Sequence, residues 1–111
     1  MRYLLLISAD EDQVEEFPSE EGLQEFWDWF NDLERRGVLK MHAGLHPSAS
    51  ATTVRVRDGQ VLLTDGPFAE GREQVGGLAL VECADLDEAI DIAARHPATS
   101  FGQVEIRPVR E

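Results

Sequence analysis

Apolar positions recur along this chain with two different periods, and the changes between them predict the elements in order. Arg2–Ser8 opens with the unbroken run Leu4-Leu5-Leu6-Ile7, short enough for a strand covered on both faces. Residues 10–17 are polar and acidic. Pro18 and Ser19 then supply a helix start, Pro being tolerated in a first turn and Ser being a capping residue. Leu23, Phe26, Trp27, Phe30 and Leu33 follow at helical spacing, with Glu25, Asp28 and Asp32 off the stripe. This pattern puts Trp27 in the core and Trp29 at the margin, where it could line an interface. Arg35 and Arg36 suit the negative helix end, and Gly37 stops it.

Val38–His46 reads as a second strand and Pro47–Ala51 as a small-residue loop. Thr53–Arg57 and Gln60–Thr64 alternate around Asp58-Gly59, the signature of a hairpin with a type I′ turn. Residues 65–74 form a loop, and Val75–Cys83 a strand whose Gly76-Gly77 pair predicts a bulge or a close backbone approach. Asp85 with Glu88 makes a capping box for a helix burying Leu86, Ala89, Ile90 and Ala93 and ending near His96-Pro97. Gln103–Val109 is the last strand. The order β-α-β-(ββ)-β-α-β predicts an α+β, ferredoxin-like split β-α-β domain with an extra hairpin, spanning residues 1–111. Both helices cover one sheet face. In so small a chain the other face is expected to meet its counterpart in a homodimer.

Composition and charge narrow the partners. The chain has 22 acids and 10 bases for a net charge of -12, with 42% hydrophobic residues, so it folds rather than staying disordered. Such acidity disfavours nucleic acid and anionic membrane surfaces. A single Cys leaves no internal disulfide framework, and Leu4–Ile7 is too short to span a membrane, which together predict a cytoplasmic protein. The acidity is local. Residues 1–34 hold eleven acids and only Arg2 as a base, which places it on the loop after the first strand and the outer face of the first helix.

The most unusual segment is Asp65-Gly66-Pro67-Phe68-Ala69-Glu70. As a turn it explains itself: Asp caps, Gly takes positive φ, Pro fixes the next residue and Phe68 plugs the core. As a site, Asp65 leaves a strand end into a cleft and serves as base or substrate anchor, with Glu73 or Glu70 raising its pKa and Arg72 clamping an anion. Glu70, Arg72 and Phe68 are the expected ligand contacts. His46, at a strand end, is a further candidate base beside Asp65. His42 lies four residues earlier, roughly 13 Å away along a strand, too far to share a metal with it. His96 is expected to put a cation on a helix end, and Cys83 to be an inert buried thiol. No P-loop, GxGxxG, Cys-x-x-Cys or GxSxG motif occurs. Neither a metal nor a nucleotide cofactor is expected.

With Thr64–Glu70, Glu73, Gly76-Gly77, Asp85–Ala89 and the ending Val104–Val109, the chain resembles the YCII-related family, in particular its DGPF-domain branch. The opening Met1–Ile7 fits as well. The resemblance implies a dimeric α+β barrel and a small-molecule enzyme, one branch of the family removing chloride from a chlorinated hydroxyquinol. It also implies a His-Asp pair whose His sits on the first helix. Residues 18–37 contain no His here. DGPF-type proteins are also similar to ones encoded beside extracytoplasmic-function sigma factors, which implies as an alternative a non-catalytic ligand-binding or regulatory module.

Overall fold

The computed structural model describes residues 1–12, 20–67 and 71–111. Its elements are β1 (Arg2–Asp10), α1 (Glu20–Arg35), β2 (Leu39–Gly44), β3 (Thr52–Arg57), β4 (Gln60–Asp65), β5 (Glu73–Glu82), α2 (Leu86–Ala94) and β6 (Gln103–Pro108). The expected Pro18-Ser19 helix start lies outside the described residues.

Four strands form one antiparallel sheet in the order β2-β5-β1-β6, the split β-α-β arrangement the element order predicts. Period-2 alternation sorts its side chains. Tyr3 and Leu5 of β1 and Ala79 and Val81 of β5 point to the helical side, where they pack on Trp29 and Leu33 of α1 and Ala89, Ile92 and Ala93 of α2. Leu4, Leu6, Leu78 and Leu80 share the opposite face, where they are half-buried and outside the core cluster. Arg2–Glu82 and Arg107–Glu105 ion pairs stand at its margins.

Both helix stripes are rotated from the expected ones. Trp29 is buried and its Nε1–H donates to the Ile92 carbonyl at 2.9 Å, whereas Trp27 is 45% exposed. Positions 26, 29, 30 and 33 satisfy helical spacing as well as 23, 26, 27, 30 and 33 do, and the long-range hydrogen bond to α2 selects the former. In α2, Ile92 replaces Leu86 and Ile90 in the core, and the latter two are about half exposed. The caps follow the sequence. Gly37 has φ +71° and Val38 N–H reaches back to the Leu33 carbonyl, closing α1 as a Schellman motif. Asp85 accepts from Glu88 N–H at 3.0 Å, and the Glu88 carboxylate accepts from Ala84 N–H.

The turn joining β3 to β4 has positive φ at both Asp58 and Gly59, as a type I′ turn requires. This hairpin forms a sheet of its own, with Val54 opposite Leu63 and Val56 opposite Val61. These four residues make one apolar face, each 57–67% exposed. The Gly76-Gly77 expectation also holds: Ile7 pairs with Gly77 and Ser8 with Val75, leaving Gly76 as the bulged residue.

Candidate functional site

The bulge at Gly76 bends β5 away at the end of the sheet where β1, β2 and the segment after α2 converge. A cavity of about 560 Å³ opens there. Its wall is mainly apolar, with Ile7, Leu23, Phe26, Leu45 and Phe101, and its polar groups include His42, His46, His96 and Glu11.

Each of these side chains is brought in by a local rule. His42 pairs with Ala79, so it shares the helix-facing side of the sheet, where its ring meets Phe26 at 5.2 Å and Phe30 at 5.6 Å between centroids. His96 precedes Pro97, which holds it extended (φ -69°, ψ 131°) just past α2. It is 3% exposed and packs edge-on against Trp29 at 4.7 Å. Its Nδ1 accepts from Ala98 N–H at 3.0 Å, capping the short 3-10 turn 97–100. Glu11, just past β1, receives both the N–H and the hydroxyl of Ser48, at 2.8 and 2.6 Å. That double bond ties the two loops beside the cavity together. Gly102 makes the approach of β6 possible, because a Cβ there would collide with the Ser8 carbonyl oxygen and with Ala9.

Electrostatics follow from the burial. Removal from water pushes the His96 imidazole down to about 4, with the positive charge of His42 opposing it as well, and burial also lowers His42. Both rings are therefore neutral near pH 7. This overturns the expectation that His96 carries a cation on a helix end. Its Nδ1 is an acceptor, so the neutral ring holds its proton on Nε2.

His46 is exposed and lines the cavity mouth. Because β2 ends at Gly44, His42 and His46 are not held at extended-strand spacing, and both reach the same cavity. Asp65 closes β4 opposite Thr52 and is exposed, Glu73 begins β5 opposite Asp10, and Arg72 lies just before it in the loop. None of these three is part of the cavity wall. Phe68 and Glu70 lie outside the described residues. Among the described residues no group of three or more His, Cys, Asp or Glu side chains is placed to hold a metal ion. Nor, among them, is any helix long and apolar enough to cross a membrane. Cys83 is buried and its thiol is pushed up mainly by that burial, as expected for an inert thiol.

Comparison with known proteins agrees with the architecture. The chain is 36% identical over 115 residues to an uncharacterised protein of Rhizobium meliloti (strain 1021), an alignment covering 98% of this chain and 92% of that protein. Among solved structures it is similar to the 5-chloro-2-hydroxyhydroquinone dehydrochlorinase of Burkholderia phenoliruptrix AC1100, solved in complex with 2,5-dihydroxybenzoquinone. The TM-score is 0.54 at 10% identity, covering 99% of this chain and 94% of that one. At that identity the likeness is one of fold. The family model for the YCII-related domain matches residues 1–111, and the chain belongs to the YCII-related family.

Proposed function

We propose that the cavity binds a small organic molecule and moves a proton on it, with His42 as the base and His96 as a neutral hydrogen-bond donor. The observation that carries this reading is the placement of two desolvated histidines on one aromatic-lined cavity of about 560 Å³, a size suited to a small ring compound. The His42 ring makes no hydrogen bond to another described residue, and burial lowers its pKa, so the neutral ring can accept a proton. Glu11 is the carboxylate of this site and holds its wall together through Ser48. His46 stands at the mouth. Asp65 at the foot of the hairpin, and Arg72 and Glu73 at the start of β5, take no part in the chemistry in this reading. That the fold also serves an enzyme acting on a substituted hydroquinone supports a small-molecule role.

A second reading, a ligand-binding or regulatory module of the kind that would work beside a sigma factor, is favoured by one observation. Among the described residues neither His42 nor His96 is hydrogen-bonded to a carboxylate. A panel of small cyclic carbonyl compounds, followed by NMR for binding and for conversion, separates the readings. Turnover that falls about a hundredfold in His42→Gln and stays within about twofold in Asp65→Asn supports the enzyme. Binding without conversion supports the module. Turnover that depends on Asp65 and not on His42 overturns the assignment.

We also infer a cytoplasmic homodimer. The half-buried face of Leu4, Leu6, Leu78 and Leu80 and the exposed face of Val54, Val56, Val61 and Leu63 are two apolar surfaces that a second copy would bury. The radius of gyration, 15.7 Å, exceeds the roughly 13 Å expected of a compact chain of this length. Sedimentation of the wild type and of Leu80→Glu tests this: the first should run as a dimer and the second as a monomer.

A further inference from the structure

The chemistry of the cavity wall narrows its ligand further. All ten Lys and Arg residues lie among the described residues, and none lines the cavity. Among the described residues the wall carboxylate is Glu11, which is engaged by Ser48 and adds negative character to a chain of net charge -12. A carboxylate or phosphate ligand would thus enter an apolar space with no counter-charge, which is unfavourable.

The polar group best fixed in the wall is His96. Ala98 N–H occupies Nδ1, so the ring offers a donor at Nε2 and no acceptor. Among the described residues, the Nδ1 bond is the only hydrogen bond of that side chain, and no buried side-chain nitrogen or oxygen lacks a partner. Nε2–H therefore opens onto the cavity rather than into the packed core. A cationic amine would meet the positive end of that N–H and gain nothing from it.

Building on the small-molecule reading above, we propose that the ligand is an uncharged carbonyl compound with an apolar body, its carbonyl oxygen held by His96 Nε2–H. A carbonyl is the acceptor that uses His42 as well. When a C–H bond beside it breaks, the proton goes to His42, the C–H electron pair forms the enolate double bond, and the carbonyl π pair moves onto the oxygen that His96 holds. Return of the proton to the ligand restores both groups, and no oxidant or metal is consumed. A neutral donor suits this step, since an imidazolium would surrender its proton to the oxygen.

Four probes of similar size test the proposal by NMR titration: acetophenone, α-methylstyrene (a CH2 in place of the oxygen), benzoate and benzylammonium. Acetophenone should bind at least about fivefold more tightly than α-methylstyrene, the difference one hydrogen bond makes, and both should exceed the two ions. His96→Asn should bring acetophenone and α-methylstyrene to parity, because the Asn oxygen can still accept Ala98 N–H while the Nε2 donor is gone. If that variant does not fold, the wild-type His96 Nε2–H signal decides, and it should move with acetophenone alone. Equal binding of acetophenone and α-methylstyrene, tightest binding of an ion, or a preference that survives in His96→Asn overturns the proposal while leaving a ligand cavity. If no probe moves the cavity signals, the small-molecule reading itself fails.

Discussion

Two apolar strand faces in this molecule have opposite surroundings, one drawn from an unbroken apolar run and one from a run in which apolar and polar residues alternate. Tyr3, Leu5 and Ile7 of β1 are at most 8% exposed, while Val54, Val56, Val61 and Leu63 of the hairpin are 57–67% exposed. Alternation says that a strand has an apolar face; it does not say what covers it. The chain's own helices cover the first face, and where that cover ends, past α2 and the β5 bulge, the cavity opens. The second face carries no such cover among the described residues, and its last strand ends at Asp65, the first residue of the motif. Of the motif residues that are described, Asp65 and the nearby Arg72 and Glu73 lie off the cavity wall, so unusual residue types and convergent side chains are separate things.

The largest expected effect sharpens that contrast. Leu5→Ala removes a fully buried side chain and should lower stability by about 3 kcal/mol at any protein concentration. Leu63→Ala should cost under about 1 kcal/mol, with whatever loss it has depending on concentration, as for a contact between copies. Chemical denaturation at two concentrations measures both, and equal, concentration-independent losses would erase the distinction.

Next comes His96. Its value is about 4 in the folded protein, against 6.5 for an ordinary imidazole. The unfolded chain therefore binds a proton that the folded one refuses between these values. Its contribution is fully present above pH 6.5 and is lost as pH falls towards 4, roughly 2–3 kcal/mol in all. His96→Asn should flatten that part of the pH-stability curve relative to wild type. A variant curve parallel to the wild-type one would show that His96 is not desolvated.

Gly102→Ala should follow, at about 2 kcal/mol, since a Cβ would strike the Ser8 carbonyl oxygen and force β6 away from β1. Gly76→Ala, with open space at its Cβ, should cost less. A reversed order in thermal denaturation would mean that the β1–β6 approach is looser than described. Smallest of all is Asp65→Asn, an exposed change expected to stay within about 0.5 kcal/mol. A larger loss would give the hairpin stem a structural weight that its exposure does not.

The features readable from the chain are those set by neighbours in sequence. The Asp58-Gly59 turn, the Gly76 bulge and the Asp85 cap all follow from residues within a few positions of one another. Contacts across long separations are not readable in this way. Trp29 is chosen over Trp27 by a carbonyl 63 residues away. His42 and His96 come from a strand and from the segment after α2, and Glu11 meets Ser48 across 37 residues. The His96-Pro97 pair was visible as a helix end, but its ring went inward because Ala98 N–H binds Nδ1. A buried histidine before Pro, followed by a small residue, is the one local sign that could have pointed to it. Asp65–Glu70 combines residue types able to carry chemistry, whereas the cavity is built mostly from residues ordinary in a core.

The His96 ring is neutral, with its proton on Nε2, and is desolvated in the wall of this cavity. Long-range 1H–15N spectra of the histidine rings, recorded from pH 7 to pH 5, test it directly. His96 should show an unprotonated Nδ1 and a protonated Nε2, unchanged across that range. A His96 that takes up a proton near pH 6.5, or that carries its neutral proton on Nδ1, would contradict it.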